Sequence, residues 1–321
     1  QVTVENLLYG LLIHSGNDAG VVLAEGLAGS IPAFVDMMNA KAQELGLKNT
    51  HYDNPHGLDS SKHYSSASDI CVLSRSAMQN KTFAKIVGKK KATVDYGNRK
   101  ATFRSTNSLL NVWDPCIGIK TGYTGNAGYC LSSCAEQDGV RLYAVVLGCA
   151  DMTQRFTDSL RLFNWGFKHY RTTTFATADE VLADVPVSAY TNRTVAAGVA
   201  EDMSRQVLDY DGDISVDIAL VDLPDGVSAG DRVGTITWRQ GEIALASAPL
   251  IAKESCGKPL AIVSVWTSVV RLVGWFTGDD AVAQTKLHTD TIEVNFNGND
   301  NGETIDEKLE EQIRVDSLKA E

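Results

Sequence analysis

The chain has 321 residues, 44% apolar and 21% charged, with a net charge of −11, enough to bury a substantial core and long enough that two domains are expected. The acidic balance excludes a nucleic-acid binder, because phosphate contacts need clustered Lys and Arg, and the one basic run, Lys89-Lys90-Lys91, reads as a solvated strand end. Cys71, Cys116, Cys130, Cys134, Cys149 and Cys256 show neither C-x-x-C nor His-paired spacing, so free buried thiols are expected, with no metal and no other cofactor.

Residues 3 to 50 read as helices. Thr3 can cap a first helix carrying Leu7, Leu8, Leu11 and Leu12 at helical spacing. Ser15-Gly16-Asn17 breaks it, a second helix runs from about Asp18 to Leu27, and a third, opened by Ser30 and Pro32, stops near Gly46. A polar loop follows from Leu47 to Ser65, containing His56-Gly57-Leu58-Asp59. Ser66 then caps a helix to about Met78, with Asp69 as the return half of a capping box.

After Lys81 the pattern turns alternating. Ala92 to Tyr96 and Ala101 to Phe103 flank Gly97-Asn98 as a hairpin, Gly118 to Thr121 begins a further strand, and Ala127 to Ala135 joins Val140 to Leu147 through Asp138-Gly139. Cys130 and Cys134, four apart on one strand, share a face with Cα atoms too distant for a disulfide. A helix carrying Phe156, Leu160, Phe163 and Phe167 closes this half near Tyr170. The order of elements predicts an α+β domain, an antiparallel sheet covered by helices, over residues 1–172.

Thr172-Thr173-Thr174 marks the expected boundary. Short strands at regular spacing predict a small all-β sandwich over 173–258, without an ionisable cluster and so a spacer or docking module. Residues 259–277 are the most apolar stretch. Ser264, Thr267, Ser268, Arg271 and Gly274 form a polar stripe at helical spacing, with Trp266 and Trp275 among the apolar residues. That pattern fits a helix lying in a membrane interface; a short span and an ordinary docking helix are the alternatives. The acidic tail, 278–321, reads as disordered or as a solvated helix.

The chemistry concentrates in two clusters, Ser15-Gly16-Asn17 on a break between helices and Lys120-Thr121-Gly122 on a strand about a hundred residues later. Each triplet alone is commonplace, but their order and placement suit a serine hydrolase acting on a carboxylate-terminated peptide. Lys120 with the Thr121 hydroxyl presents a cation and a neutral donor to a carboxylate, and Gly122 leaves the strand margin clear for a peptide to pair alongside. The Tyr123 backbone N–H lies where an oxyanion donor is needed. Ser15 can relay a proton to a departing amine, and Asn17 can orient a base and hold a substrate amide.

With these residues in place the chain resembles the D-alanyl-D-alanine carboxypeptidases, the low-molecular-mass penicillin-binding proteins. The similarity runs through His14 to Ala19, Asn54 to Asp59, Tyr64 to Asp69, Gly118 to Thr124, Val145 to Gly148 and Arg155 to Phe167, roughly the first 170 residues. It implies a β-lactamase/transpeptidase-like domain and a serine-type peptidase that removes the terminal D-alanine of peptidoglycan stem peptides through an acyl-enzyme. It further implies β-lactam antibiotics as inhibitors and an extracytoplasmic place in the bacterial envelope, held at the membrane surface by residues 260–276. Ser15, Asn17 and Lys120 take the catalytic roles, with Thr121, Gly122, Tyr123 and Arg155 binding substrate. His56 and Asp59 belong to a loop like one bordering the family's cleft, where a turn-stabilising role is equally open.

One departure stands out. The only Ser-x-x-Lys, the pattern that carries the family's nucleophile, is Ser255-Cys256-Gly257-Lys258, which precedes Pro259 beyond the β domain and reads as chance. The nucleophile is therefore missing from these residues, and Gln1, not an initiator methionine, fits a chain processed or truncated at its N-terminus. A non-catalytic wall-binding or scaffolding protein that keeps the carboxylate pocket is the alternative. A β-lactamase is the lesser one, since the loop from Leu47 to Ser65 offers no deacylating glutamate.

Overall fold

The protein is described by a computed structural model covering residues 2–95, 99–209, 211–277, 283–294, 305 and 307–320. Two compact units emerge, one of residues 1–168 and 300–321, the other of residues 169–299.

Caps decide where the helices of the first unit begin. Thr3 accepts from the Asn6 N–H and opens α1, Val4–Leu12; α2, Asn17–Ala28, stops at Gly29 in the left-handed conformation (φ 79°); and Ser30 accepts from the Ala33 N–H to open α3, Ile31–Glu44. Ser66 likewise caps α4, Ala67–Met78, at the Asp69 N–H. The Asp69 carboxylate does not complete the expected box, however. It accepts from the Asn49 N–H at 2.7 Å and the Thr50 hydroxyl at 2.8 Å, so a buried acid ties the polar loop to the helix instead of closing its own cap. A helix also appears where only strands were expected: α5, Lys81–Val87, begins at Asn80, whose side chain accepts from the Thr82 and Phe83 N–H groups.

Strands β1, Lys91–Asp95, and β2, Lys100–Arg104, pair antiparallel; the expected turn at Gly97-Asn98 lies outside the described residues. After the short α6, Leu109–Val112, come β3, Cys116–Thr124, β4, Gly128–Gln137, and β5, Val140–Cys149, an antiparallel sheet in that order. Asp138 (φ 50°) and Gly139 (φ 77°) turn β4 into β5 with the left-handed pair that matches strand twist. Alternation along β4 then assigns the two faces. Leu131 and Ala135 meet Phe156, Leu160 and Phe163 of α7, Gln154–His169, while Cys134 on the other face packs with Met78 of α4 and Val87 of α5. The result is the expected α+β domain, a sheet between helical layers.

The second unit is the expected all-β domain, with different limits. Thr172 pairs with Gln206 within β6, Tyr170–Ala176, against β9, Met203–Leu208. The threonine-rich stretch expected to mark the boundary is therefore a strand inside the second unit, and the division falls before His169. Buried His169 and Asp209 fix the start of β6, with Nδ1 of the ring 2.8 Å from the carboxylate and the Arg171 guanidinium 2.9 Å from it. β7, Ala183–Pro186, β8, Thr194–Gly198, β10, Ile214–Leu220, β11, Arg232–Gln240, and β12, Ile243–Ala252, build a curled sheet around Trp238, which is 1% exposed. Two short strands, β13, Lys286–Leu287, and β14, Thr291–Ile292, complete the order β13-β7-β8-β12-β11-β10-β14. The domain thus extends past residue 258, because its edges take strands from the supposed tail.

In the chain between β12 and β13, α8, Ala261–Thr277, uses its polar stripe for docking: Thr267 donates to the Ala189 carbonyl and Arg271 to that of Ser188. Its apolar residues stay exposed, Ile262 at 77% and Trp275 at 76%. No single helix among the described residues is long and apolar enough to cross a membrane.

The last helix, α9, Glu307–Ala320, belongs to the first unit. The tail was expected to be solvated or disordered, but Ile305 (9% exposed) and Ile313 (0%) are buried with Leu109, Leu110, Phe156 and Leu160. Four-residue spacing of Ile305, Leu309 and Ile313 supplies an apolar stripe inside an otherwise charged segment.

Candidate active site

The bend that carries Ser15 is fixed by its neighbours. Ile13 is buried at 1% exposure, His14 stacks on Phe103 with ring centroids 4.7 Å apart, and the Gly16 N–H donates to the Gly10 carbonyl at 2.9 Å. Ser15 itself lies in the left-handed region, φ 65°, a conformation that costs a non-glycine residue on the order of 1 kcal/mol. Its side chain is exposed.

Opposite it, β3 places consecutive residues on opposite faces. Lys120 lies beside the helical layer that includes α4, and its ammonium donates to Ser15 Oγ at 2.8 Å and to the Thr121 carbonyl at 2.8 Å. Burial, and then the Arg155 guanidinium, lower the Lys120 pKa to about 8. Thr121 lies on the other face, 8% exposed, with its hydroxyl 2.6 Å from that of Thr106. Arg155, 6% exposed, enters from α7, donates to the Gly122 carbonyl at 3.4 Å and stacks over the rings of Tyr129 and Phe156.

Ser15, Thr121, Gly122, Tyr123 and Arg155 line one cleft of about 280 Å³, together with Thr106, Tyr129, Met152 and Ser317. The two elements that the sequence separated by a hundred residues therefore meet. Tyr123 stacks on Tyr129 at 4.3 Å and remains 59% exposed. A Cβ on Gly122 would lie no closer than 3.9 Å to Cys130 Cβ, so the protein itself has room for a side chain there. Lys120 and Asn17 are not among the lining residues: Lys120 reaches the cleft through its bond to Ser15, and Asn17 stays apart. It is exposed at the start of α2, and its side chain makes no hydrogen bond to another described residue.

The loop residues divide between the two readings. His56 accepts from the Leu58 N–H within its own turn. Asp59 instead reaches β3, accepting from the Thr124 hydroxyl at 2.7 Å, and so holds the loop against the strand that carries Lys120. Thr106, Tyr129 and Met152 carried no sequence signal, since each belongs to the cleft only through the tertiary fold.

Two buried thiols and the one Ser-x-x-Lys are poor replacements for the nucleophile. Burial pushes the Cys116 thiol up to about 11 and that of Cys134 up to about 12. Ser255 accepts from the Ala229 N–H and Lys258 pairs with Asp225, so neither side chain serves the other as base or nucleophile.

A cation bonded to a serine at an inter-helix bend, with a second buried cation beside it, marks the class of sites that can hold a carboxylate. Comparison with known proteins narrows that class. The family profile described as D-alanyl-D-alanine carboxypeptidase matches residues 1–151, and the chain belongs to that family. It is 33% identical over 267 residues to the D-alanyl-D-alanine carboxypeptidase DacF of Bacillus subtilis, covering 80% of this chain and 67% of the relative. It is 35% identical over 206 residues to DacA of Escherichia coli, covering 63% and 50%. The chain thus spans between half and two thirds of these relatives. Among solved structures, penicillin-binding protein 5 from Haemophilus influenzae aligns with a TM-score of 0.57 at 30% identity, over 80% of this chain and 76% of the other. DacD from Francisella tularensis aligns with a TM-score of 0.59 at 25% identity and the same coverage.

Proposed function

We propose that the protein is a serine-type D-Ala-D-Ala carboxypeptidase of the cell envelope, acting on peptidoglycan stem peptides and open to β-lactams. The observation that carries this reading is the 2.8 Å contact between Lys120 and Ser15 at the head of a cleft flanked by Arg155. The terminal carboxylate of the stem peptide meets Lys120, the Thr121 hydroxyl and Arg155, which fix the last residue. A serine then attacks the carbonyl of the penultimate D-alanine, with the Tyr123 N–H facing the developing oxyanion. Ser15 relays the proton that the departing D-alanine amine needs, and Asn17 turns toward the substrate amide once a ligand fills the cleft. Water finally releases the acyl group.

On this reading the attacking serine and its lysine come from outside these 321 residues. Labelling by a fluorescent penicillin tests the point: a form carrying an upstream Ser-x-x-Lys is expected to label and the present chain is not. Labelling of both would overturn the assignment of the nucleophile. The alternative, a wall-binding protein without turnover, is favoured by the same missing pattern, and it predicts peptide binding with no labelling of either form.

The substrate places the protein outside the cytoplasm, and α8 is the proposed contact with the membrane. Its docked polar stripe leaves Trp266, Trp275 and Phe276 exposed together, the arrangement of a helix that lies in an interface. Sedimentation with phospholipid vesicles is expected to retain the native chain and to lose a W266S/W275S variant. Equal retention of the two would remove the anchor.

A further inference from the structure

The cleft has a wall that the catalytic reading does not use. Ser317 of α9 lines it together with Ser15, Thr121 and Arg155. This position is the end of a stripe: Ile305, Leu309, Ile313 and Ser317 recur every four residues, so the residues that seat the helix also bring its last turns to the cleft. Two polar latches set the register. Ser317 Oγ lies 3.1 Å from Ser108 Oγ, and Asn111 donates to the Asp316 carboxylate at 2.8 Å.

The same helix carries charge. Glu307, Glu310 and Glu311, with Arg314, face Asp151 and Thr153 across an adjoining cavity of about 780 Å³. Met152 lines both cavities and packs against the cluster that buries Ile313. An anionic peptide approaching Lys120 and Arg155 therefore meets the helix twice, as volume at Ser317 and as a negative field beside it. Yet Ile313, the partly buried Leu309, Ile305 just before the helix and two latches hold a helix of fourteen residues, few anchors against the entropy of ordering that length of chain. Segments held by few buried contacts are the ones that can open locally while the rest of a protein stays folded.

We propose that α9 is a tethered lid on the carboxylate-binding cleft: docked, it narrows the cleft and repels anionic peptides, and undocked, it admits them. This rests on the cleft assignment above and adds a means of regulating it.

The test compares the native chain with I313D, with I313V as the conservative control, and with D316A/S317A, which removes the latches without disturbing the isoleucine. Two readouts are followed: the rate of Met152 oxidation by hydrogen peroxide, by mass spectrometry, and the affinity for diacetyl-L-Lys-D-Ala-D-Ala, by calorimetry. I313D is expected to speed Met152 oxidation about tenfold or more and to raise peptide affinity about fivefold or more. D316A/S317A should move both in the same direction by less, and I313V should stay within about twofold of the native chain. If I313D does not fold, the latch variant carries the test. Unchanged Met152 oxidation in the folded variants overturns the docking. Faster oxidation with unchanged or weaker peptide binding overturns the lid. Faster oxidation with no form binding the peptide overturns the cleft assignment itself, and the lid with it.

Discussion

Replacing Lys120 by methionine is expected to weaken binding of a D-Ala-D-Ala-terminated peptide by about ten- to hundredfold, the equivalent of one charge-assisted hydrogen bond to a carboxylate at about 1.5–3 kcal/mol. The native protein should also show a pH signature that the variant lacks. Lys120 titrates near 8 because burial, then Arg155, disfavours its charge, so carboxylate affinity falls as pH rises through 8, where an ordinary lysine would hold it to about 10.4. The stability effect has the opposite sign. Between about 8 and the ordinary lysine value the unfolded chain still binds the proton that the folded one has released, so stability rises with pH across that window. In K120M this rise should disappear. Calorimetric titration of the peptide and urea midpoints, both measured from pH 7 to 10, check the two halves. An affinity that stays flat through pH 9 in the native chain would remove Lys120 from carboxylate recognition.

Phe156→Ala should be the most destabilising single change near the cleft, costing about 3–5 kcal/mol as a large buried ring is lost from a packed core. Phe156 is fully buried against Leu109, Leu131 and Leu160, and its ring also lies 4.8 Å from the Arg155 guanidinium. Its removal therefore both opens a cavity and frees one side of the cation that faces the substrate. The urea midpoint is expected to fall, and peptide affinity to drop even where the variant is fully folded. Loss of stability without any loss of affinity would mean that Phe156 does not position Arg155, whose other contacts include the Gly122 carbonyl and Tyr129.

Those two residues also mark how far the sequence could be read. Lys120 and Ser15 announced themselves by motif, and the apolar spacing of Phe156, Leu160 and Phe163 announced the helix that supports them. Caps were legible wherever one side chain decides the matter, as at Thr3, Ser30 and Ser66. What escaped was set by partners distant in the chain. Asp69 has a local use in a capping box and a tertiary one at Asn49 and Thr50, and the tertiary one prevailed. The threonines at 172–174 look like a domain boundary until Met203–Leu208 supplies a strand for them to pair with. Ile313 sits among charges and reads as solvated, because nothing local reveals the groove lined by Leu109, Leu110 and Phe156. Thr106 belongs to the cleft for the same kind of reason: it lies in the bend after β2, and only the tertiary fold brings its hydroxyl to that of Thr121.

The left-handed backbone at Ser15 sets stability and chemistry against each other at one position. Glycine would adopt φ 65° without penalty, so a selection for thermal tolerance will tend to choose S15G and, with it, discard the hydroxyl that Lys120 holds. A hardened variant of this protein should therefore be sequenced at codon 15 before any loss of peptide binding is blamed on rigidity.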